Sequence, residues 1–228
     1  MLRYRNGGIR LLCGVTLLAA ASMAAAFSFS EEAEKDARAE EERNVASHIA
    51  LSLPAACLDE LKRRKIMIVM GERTGEGITA SQARYSPHFN SINKRLLRQG
   101  IRTYSQQEIT AHIAQAEVDA YFRNDPDAAL AASKKMGAQL ILRGTITSRS
   151  MLNPVARIPD VYVTIAFALM KPDGTLLSDA QASAESYSGS DTLAMAGTLV
   201  EEKADGVVNT LLAGYCANVA SSSGKKRK

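Results

Sequence analysis

Glu72 and Arg73 are the polar residues best placed to bind a ligand, because they stand at the end of an apolar run. The run covers residues 66–70 and is followed by Gly71, and it predicts a strand buried on both faces of a sheet. Ligand crevices in open α/β sheets lie outside the carboxyl ends of their strands. We therefore predict a ligand-binding pocket near Glu72, Arg73 and Tyr104. A strand-end ion pair between the first two residues is the alternative.

Acid–base chemistry would depend on a histidine, and His88 is the candidate. It falls in the first turn of a predicted helix, near Tyr85 and Ser86. A hydrolase would need His88 beside an acid or a serine, and no motif such as a nucleophile elbow supplies an activated serine or cysteine. We expect His88 to be solvated and His112 to pack on an apolar helix face. The sequence predicts no catalytic residue and no enzymatic activity.

Three glycines after the predicted strand, Gly71, Gly75 and Gly77, raise the question of a phosphate-binding loop. No Lys-Ser or Lys-Thr pair follows them, and the next predicted helix starts only at residue 86. We predict instead a mobile surface loop over 72–86, which would also offer Arg73, Arg84 and Tyr85 to a partner. The cysteines and histidines lack the spacing of metal ligands, so no metal or cofactor is predicted.

The first 26 residues have the plan of a secretory signal peptide. Three arginines precede an apolar run over 11–26 that ends in alanines. This run is shorter than the roughly 18–20 residues of a membrane-spanning helix. We predict cleavage near Phe27 and a periplasmic mature chain without a transmembrane segment. Cys13 follows Leu12 rather than a small residue, which disfavours a lipid anchor.

The remaining chain divides into a charged segment (27–50), a single α/β domain (51–220) and a basic tail (221–228). The charged segment predicts a solvated helix or a flexible tether. Removing the three arginines of the signal and the four basic residues of the tail from the net charge of +4 leaves −3. The body therefore lacks the basic face of a nucleic-acid binder. The tail could contact an anionic membrane; a frayed, solvated terminus is the alternative.

Cys57 and Cys216 are the cysteines that remain after the predicted cleavage. An oxidising periplasm would let them form a disulfide. Two buried thiols too far apart to bond are the alternative.

Turn and cap signals predict the order β-α-β-α-α-β-β-β-α. The sequence Pro172-Asp173-Gly174 is typical of a turn and should connect two strands as a hairpin. A long helix with one apolar face is predicted after the hairpin. The predicted fold is an α/β two-layer sandwich, with a mixed sheet, a C-terminal β-hairpin and a long C-terminal helix packed on it. The predicted elements are strand 66–70, a helix starting at 86, strand 101–104, helices starting at 105 and 125, strand 139–147, hairpin strands 160–170 and 175–187, and helix 193–215.

An alanine-rich predicted helix leads through Gly137-Ala138 into a strand that ends in Gly144-Thr145-Ile146. This pattern resembles that of the TolB amino-terminal-like α/β superfamily of bacterial envelope proteins. The resemblance covers 60–217. That superfamily includes the curli-secretion channel subunit, the activator lipoprotein of penicillin-binding proteins and the middle domain of a flagellar assembly protein. The resemblance implies this fold and a role in an envelope assembly. The chain has no amphipathic pair of membrane-spanning strands, which argues against a pore.

Residues 151–159 join two predicted strands with more apolar content than an ordinary solvated loop, and prolines stiffen the segment. We predict that it binds a partner protein; a loop folded over the end of the core is the alternative. The predicted function is a periplasmic, non-enzymatic accessory or adaptor protein that binds an envelope protein in secretion, cell-wall synthesis or flagellar assembly. A periplasmic small-ligand or glycan-binding domain is the alternative. The predicted contact residues are Met151, Leu152, Val155, Arg157 and Ile158.

Overall fold

A computed structural model describes residues 53–123, 125–152, 159–186 and 191–225, together with positions 37, 38, 41 and 157. The chain divides into two compact units, Met1–Ala39 and Glu40–Lys228. The predicted signal peptide lies outside the described residues. Of the predicted tether, only Ala37, Arg38 and Glu41 are described, and all three are helical and exposed.

The second unit alternates helices and strands. None of the helices in the described part of the chain is long and apolar enough to cross a bilayer. In chain order the elements are α1 (Ala55–Lys62), β1 (Lys65–Thr74), β2 (Gly77–Thr79), α2 (Ser86–Arg98), β3 (Arg102–Thr103), α3 (Gln106–His112), α4 (Gln115–Ala120), α5 (Pro126–Met136), β4 (Leu140–Leu152), β5 (Pro159–Met170), β6 (Leu176–Ser186) and α6 (Thr192–Lys225).

The described strands form one mixed sheet in the order β2-β1-β4-β5-β6, and β3 also pairs with β1. β1 and β4 are parallel, whereas β4, β5 and β6 form an antiparallel meander. β3 pairs with the first residues of β1 and β2 pairs with its last ones. β1 is therefore a central strand, which explains its continuous apolar run.

Helices α2 and α6 cover the inner face of the sheet. Alternate residues of β5 point into this layer, as the apolar period of two requires. Gly214 of α6 allows a close approach to β6, because a Cβ there would lie 2.3 Å from Ser178 Oγ. The buried residues of this layer include Phe89, Ile92 and Leu96 of α2; Val161, Val163, Ile165, Phe167 and Leu169 of β5; and Leu199, Val200, Val207, Val208, Leu211, Leu212 and Tyr215 of α6.

Within the part of the chain that the structure describes, the outward face is covered over β1 and the first part of β4, and its side chains over the rest of β4 to β6 are half-buried or exposed. A Cβ on Gly71 would lie 2.9 Å from the Phe122 ring, which follows α4. Met67 and Val69 of β1 are accordingly buried on this side too. The α/β class, the mixed sheet, the C-terminal hairpin and the long C-terminal helix are confirmed; short helices in addition pack over part of the second face.

The predicted mobile loop over 72–86 is wrong. β1 continues to Thr74 and turns into β2, after which Gln82 acts as a substitute strand partner for β1. The Gln82 side-chain amide donates to the Met70 carbonyl at 2.8 Å and accepts from the Met70 N–H at 3.2 Å. Tyr85 is fully buried and is not available to a partner. Helices α1 and α4 and strand β2 were not predicted either.

Cys57 of α1 and Cys216 of α6 form a disulfide with a Cα–Cα distance of 5.7 Å. The bridge joins residues 159 positions apart and holds α1 against α6, where Leu61 is also fully buried. α6 itself continues to Lys225, through the first residues of the predicted tail.

Candidate partner-binding surface

The β4–β5 hairpin extends past the end of β1. The pairing of β1 with β4 stops at Thr147, whereas β4 and β5 remain paired as far as Leu152 and Pro159. We call residues 148–152 and 159–162 the hairpin arm. Antiparallel pairing continues along the arm, so its backbone is held in place without β1.

Two large apolar side chains are exposed on this arm. Met151 is 55% and Leu152 68% exposed. Because they are consecutive strand residues, they point to opposite sides of the arm. Exposed large apolar residues on a held strand are typical of a protein-binding surface.

The open part of the outward face adjoins the arm. Arg149 stacks on Tyr162, with the guanidinium carbon 4.7 Å from the ring centroid, and these two residues are directly paired across β4 and β5. Thr147, Thr164 and Ser183 continue the face in register. A shallow depression of about 610 Å³ lies over these residues. The open face is therefore polar, with one stacked cation beside the apolar tip.

Arg149 and Tyr162 were not singled out from the sequence. Their pairing depends on the register of two strands that are separated by a connection of uncertain length. The polar residues at alternate positions of both strands indicate an outward-facing surface. They cannot show which residues of the two strands are neighbours.

The other predicted contact residues are only partly described. Arg157 is exposed and has a φ of 54°. Val155 and Ile158 lie outside the described residues. Met151 and Leu152, predicted in a loop, belong to β4.

The structure does not bring the predicted ligand-binding residues together. Glu72 is buried on the inner face and Arg73 is exposed on the outward face, because consecutive strand residues alternate. Tyr104 is near the opposite end of β1, where its N–H donates to the Ile66 carbonyl. Its hydroxyl donates to the Met136 carbonyl at 2.7 Å, so Tyr104 anchors α5 to the sheet.

Glu72 belongs instead to a partly buried polar cluster. Tyr85 donates to Glu72 Oε2 at 3.3 Å, and the same oxygen is 3.2 Å from the Arg84 guanidinium. Burial, followed by the charge of Glu72, raises the pKa of Tyr85 to about 12. The Tyr85 ring meets His88 edge-on at 6.1 Å between centroids. The cluster is an ion pair between the buried Glu72 and the exposed Arg84, with an aromatic neighbour. This agrees with the strand-end explanation, although Arg84 takes the place of Arg73.

The two histidines exchange their predicted environments. His88 is buried, and neither ring nitrogen makes a hydrogen bond of good geometry to a described residue. Burial lowers the pKa of His88, against the opposing effects of the Leu193 carbonyl and the charge of Glu72. His112 is exposed and bonds to the Glu108 carbonyl at 2.8 Å. His88 therefore has no hydrogen-bonded acid or serine that would activate it.

Among the described residues, no group of three His, Cys, Asp or Glu side chains could hold a metal ion.

No family model matches the chain, and no curated protein matches it. Solved structures do. A PelC dodecamer from Paraburkholderia phytofirmans is 16% identical, with a TM-score of 0.37 over 63% of this chain and 87% of PelC. Lipoprotein GNA1162 from Neisseria meningitidis is 16% identical, with a TM-score of 0.36 over 60% and 94% of the two chains.

The LpoB C-terminal domain from Salmonella enterica is 11% identical, with a TM-score of 0.35 over 57% of this chain and 93% of that domain. These similarities are weak.

Proposed function

We propose that this chain is a non-enzymatic accessory protein of the bacterial envelope, which binds another protein through its hairpin arm. The observation that carries the proposal is the pair of exposed apolar side chains, Met151 and Leu152, on a strand held in place by pairing. An envelope role is in keeping with lipoprotein GNA1162 among the structural neighbours.

The disulfide supports export. Structural disulfides form and persist in oxidising compartments such as the periplasm and are rare in the cytosol. The Cys57–Cys216 bridge joins two helices of the folded domain. Together with the signal-like residues 1–26, it favours a periplasmic location of the mature chain.

The arm contributes binding energy through burial. Covering a Leu or Met side chain completely is worth about 1.5–3 kcal/mol relative to full exposure. Both side chains are more than half exposed, so a partner that covers them should gain about 2–3 kcal/mol in total. Truncating both should weaken binding by roughly 30- to 160-fold.

The test is site-specific photocrosslinking in living cells. A photoreactive amino acid at position 152 should give a discrete adduct with one envelope protein, and the Met151→Ser variant should reduce it. Leu97 on α2 is the matched control, because it is a large apolar residue with a similar exposure of 52%. The same adducts from position 97, or none from position 152, would contradict the proposal.

Export is tested separately, by mass spectrometry of the protein purified from the periplasmic fraction. We expect a mature chain that starts near residue 27 and carries the Cys57–Cys216 bridge. A full-length chain with free thiols in the cytosol would contradict export.

A further inference from the structure

A cavity of about 210 Å³ lies at the end of the sheet opposite the hairpin arm. The start of β4 forms its floor. The segment after α4, the beginning of α5 and the β5–β6 turn form its walls. The residues around it are Ala120, Tyr121, Asp125, Ala129, Ile141, Arg143, Met170, Lys171, Pro172 and Gly174.

Arg143 is the half-buried cation in this wall, and its charge is poorly compensated. An arginine has five N–H donors, yet the described contact of Arg143 is a single bond from Nη1 to the Tyr121 carbonyl at 2.8 Å. None of the ion pairs among the described residues involves it. Burial, followed by repulsion from Arg73, lowers the pKa of Arg143. Because Arg143 is only half-buried, its remaining N–H groups face the open side of the cavity, where an anion from outside the chain would accept charge-assisted hydrogen bonds.

The other polar groups of the cavity leave it positive. Asp125 is the N-cap of α5, and its carboxylate accepts from the Ala128 N–H at 3.1 Å. Arg143 and the exposed Lys171 carry two positive charges against the one negative charge of Asp125, so the residues that line the cavity sum to +1. The Tyr121 hydroxyl donates to the Ala129 carbonyl at 2.9 Å. It therefore does not compete with Arg143 for a ligand.

The remaining lining is apolar and the space is small. Ala120, Ala129, Ile141 and Met170 surround it with hydrocarbon groups, of which Ala129 and Met170 keep some exposed surface. The volume is below the roughly 300–1,000 Å³ of pockets for drug-sized ligands. A ligand would therefore have a compact apolar body and one anionic end.

We propose that this cavity binds a small carboxylate with a short apolar body, and that Arg143 holds the carboxylate through its free N–H groups. Arginine and carboxylate match in a planar, two-bond geometry. The carboxylate could belong to a free small acid or to the C-terminal residue of a peptide. The site is separate from the hairpin arm, so it can fail or hold independently of the proposed function.

The test titrates the mature chain with pentanoate as the probe and with pentanamide as its uncharged control. Binding is monitored through the backbone amide NMR signals of the chain. We expect pentanoate to give saturable shifts around Tyr121, Arg143 and the β5–β6 turn, and pentanamide to bind about tenfold or more weakly. The Arg143→Gln variant should lose binding by a similar factor. Arg149→Gln, on the same strand but outside the cavity, should bind like the wild type.

A peptide probe distinguishes the two sources of carboxylate. Tighter binding of N-acetyl-alanyl-valine than of pentanoate would identify a chain terminus, and weaker binding a free acid. If Arg143→Gln does not fold, Lys171→Gln provides a second variant, which should weaken pentanoate binding several-fold by removing a nearby charge. No saturable shift up to about 50 mM pentanoate, equal shifts with pentanamide, or unchanged binding to both variants would overturn the proposal.

Discussion

Removal of the Cys57–Cys216 bridge should strongly destabilise the domain. Cross-linking reduces the chain entropy of the unfolded state, by an amount that grows with the logarithm of the loop length. For a sequence separation of 159 residues, the chain-entropy relation gives about 5 kcal/mol at 25 °C. Residual structure in the unfolded chain reduces this value, so we expect a loss of about 2–5 kcal/mol in the Cys57→Ala/Cys216→Ala variant.

The assay is urea unfolding followed by circular dichroism. With a slope of about 2 kcal/mol per molar urea for a domain of this size, the midpoint should fall by about 1–2.5 M. Alanine is the appropriate replacement because Cys216 is buried and a serine hydroxyl would add an unsatisfied polar group. The wild type in reducing agent should unfold close to the variant. A loss below about 1 kcal/mol would refute the reasoning.

Three further predictions concern the contacts of α6 with α2 and with the sheet. The hydrogen bond from Arg95 lowers the pKa of Glu201 to about 2, so stability should be full above about pH 4.5 and fall towards pH 2; Glu201→Gln should flatten that part of the stability–pH curve in urea titrations. The lowered pKa of His88 means that only the unfolded chain takes up its proton near pH 6.5, so stability should fall as pH drops below that value, and His88→Leu should remove this dependence. Gly214→Ala should cost about 1–3 kcal/mol of unfolding free energy through overpacking against Ser178, and Ser178→Gly should recover part of it in a double-mutant cycle; an additive cycle would contradict direct contact.

Local chemistry predicted the elements whose signals lie within a few residues. The β5–β6 turn is one example, since Gly174 has a φ of +85° and Asp173 Oδ1 accepts from the Thr175 N–H at 2.9 Å. The capping box of α3 is another, because Ser105 and Glu108 exchange the predicted hydrogen bonds. Both depend on short-range geometry that the residue types alone impose.

Features that depend on distant residues were not predictable in this way. Gln82 replaces a strand partner of β1 only because the chain returns to Met70. His88 is buried by packing under α6, close to Gly197, although its own surroundings in sequence are polar. Local polarity therefore gave the wrong environment for this histidine.

The candidate site shows the same division. Its apolar residues, Met151 and Leu152, were recognisable from composition. Their place on a paired strand, and the stacking of Arg149 on Tyr162, follow from the register of β4 and β5. Arg143 gave no local signal at all, because its cavity is assembled from four separate segments.

The position of the disulfide determines how the domain responds to mechanical force. Cys57 is the third residue of α1, so tension applied upstream of Ala55 can unravel less than one helical turn before it reaches the sulfur–sulfur bond. The bond passes the load to α6, whose buried side packs on β5, β6 and α2. Residues 57–216 form a covalently closed ring that cannot be pulled open from that end. Under tension between that end and a partner held by the hairpin arm, the ring limits the extension of the chain to the shorter path through residues 162–216, until a reductant cuts the bond.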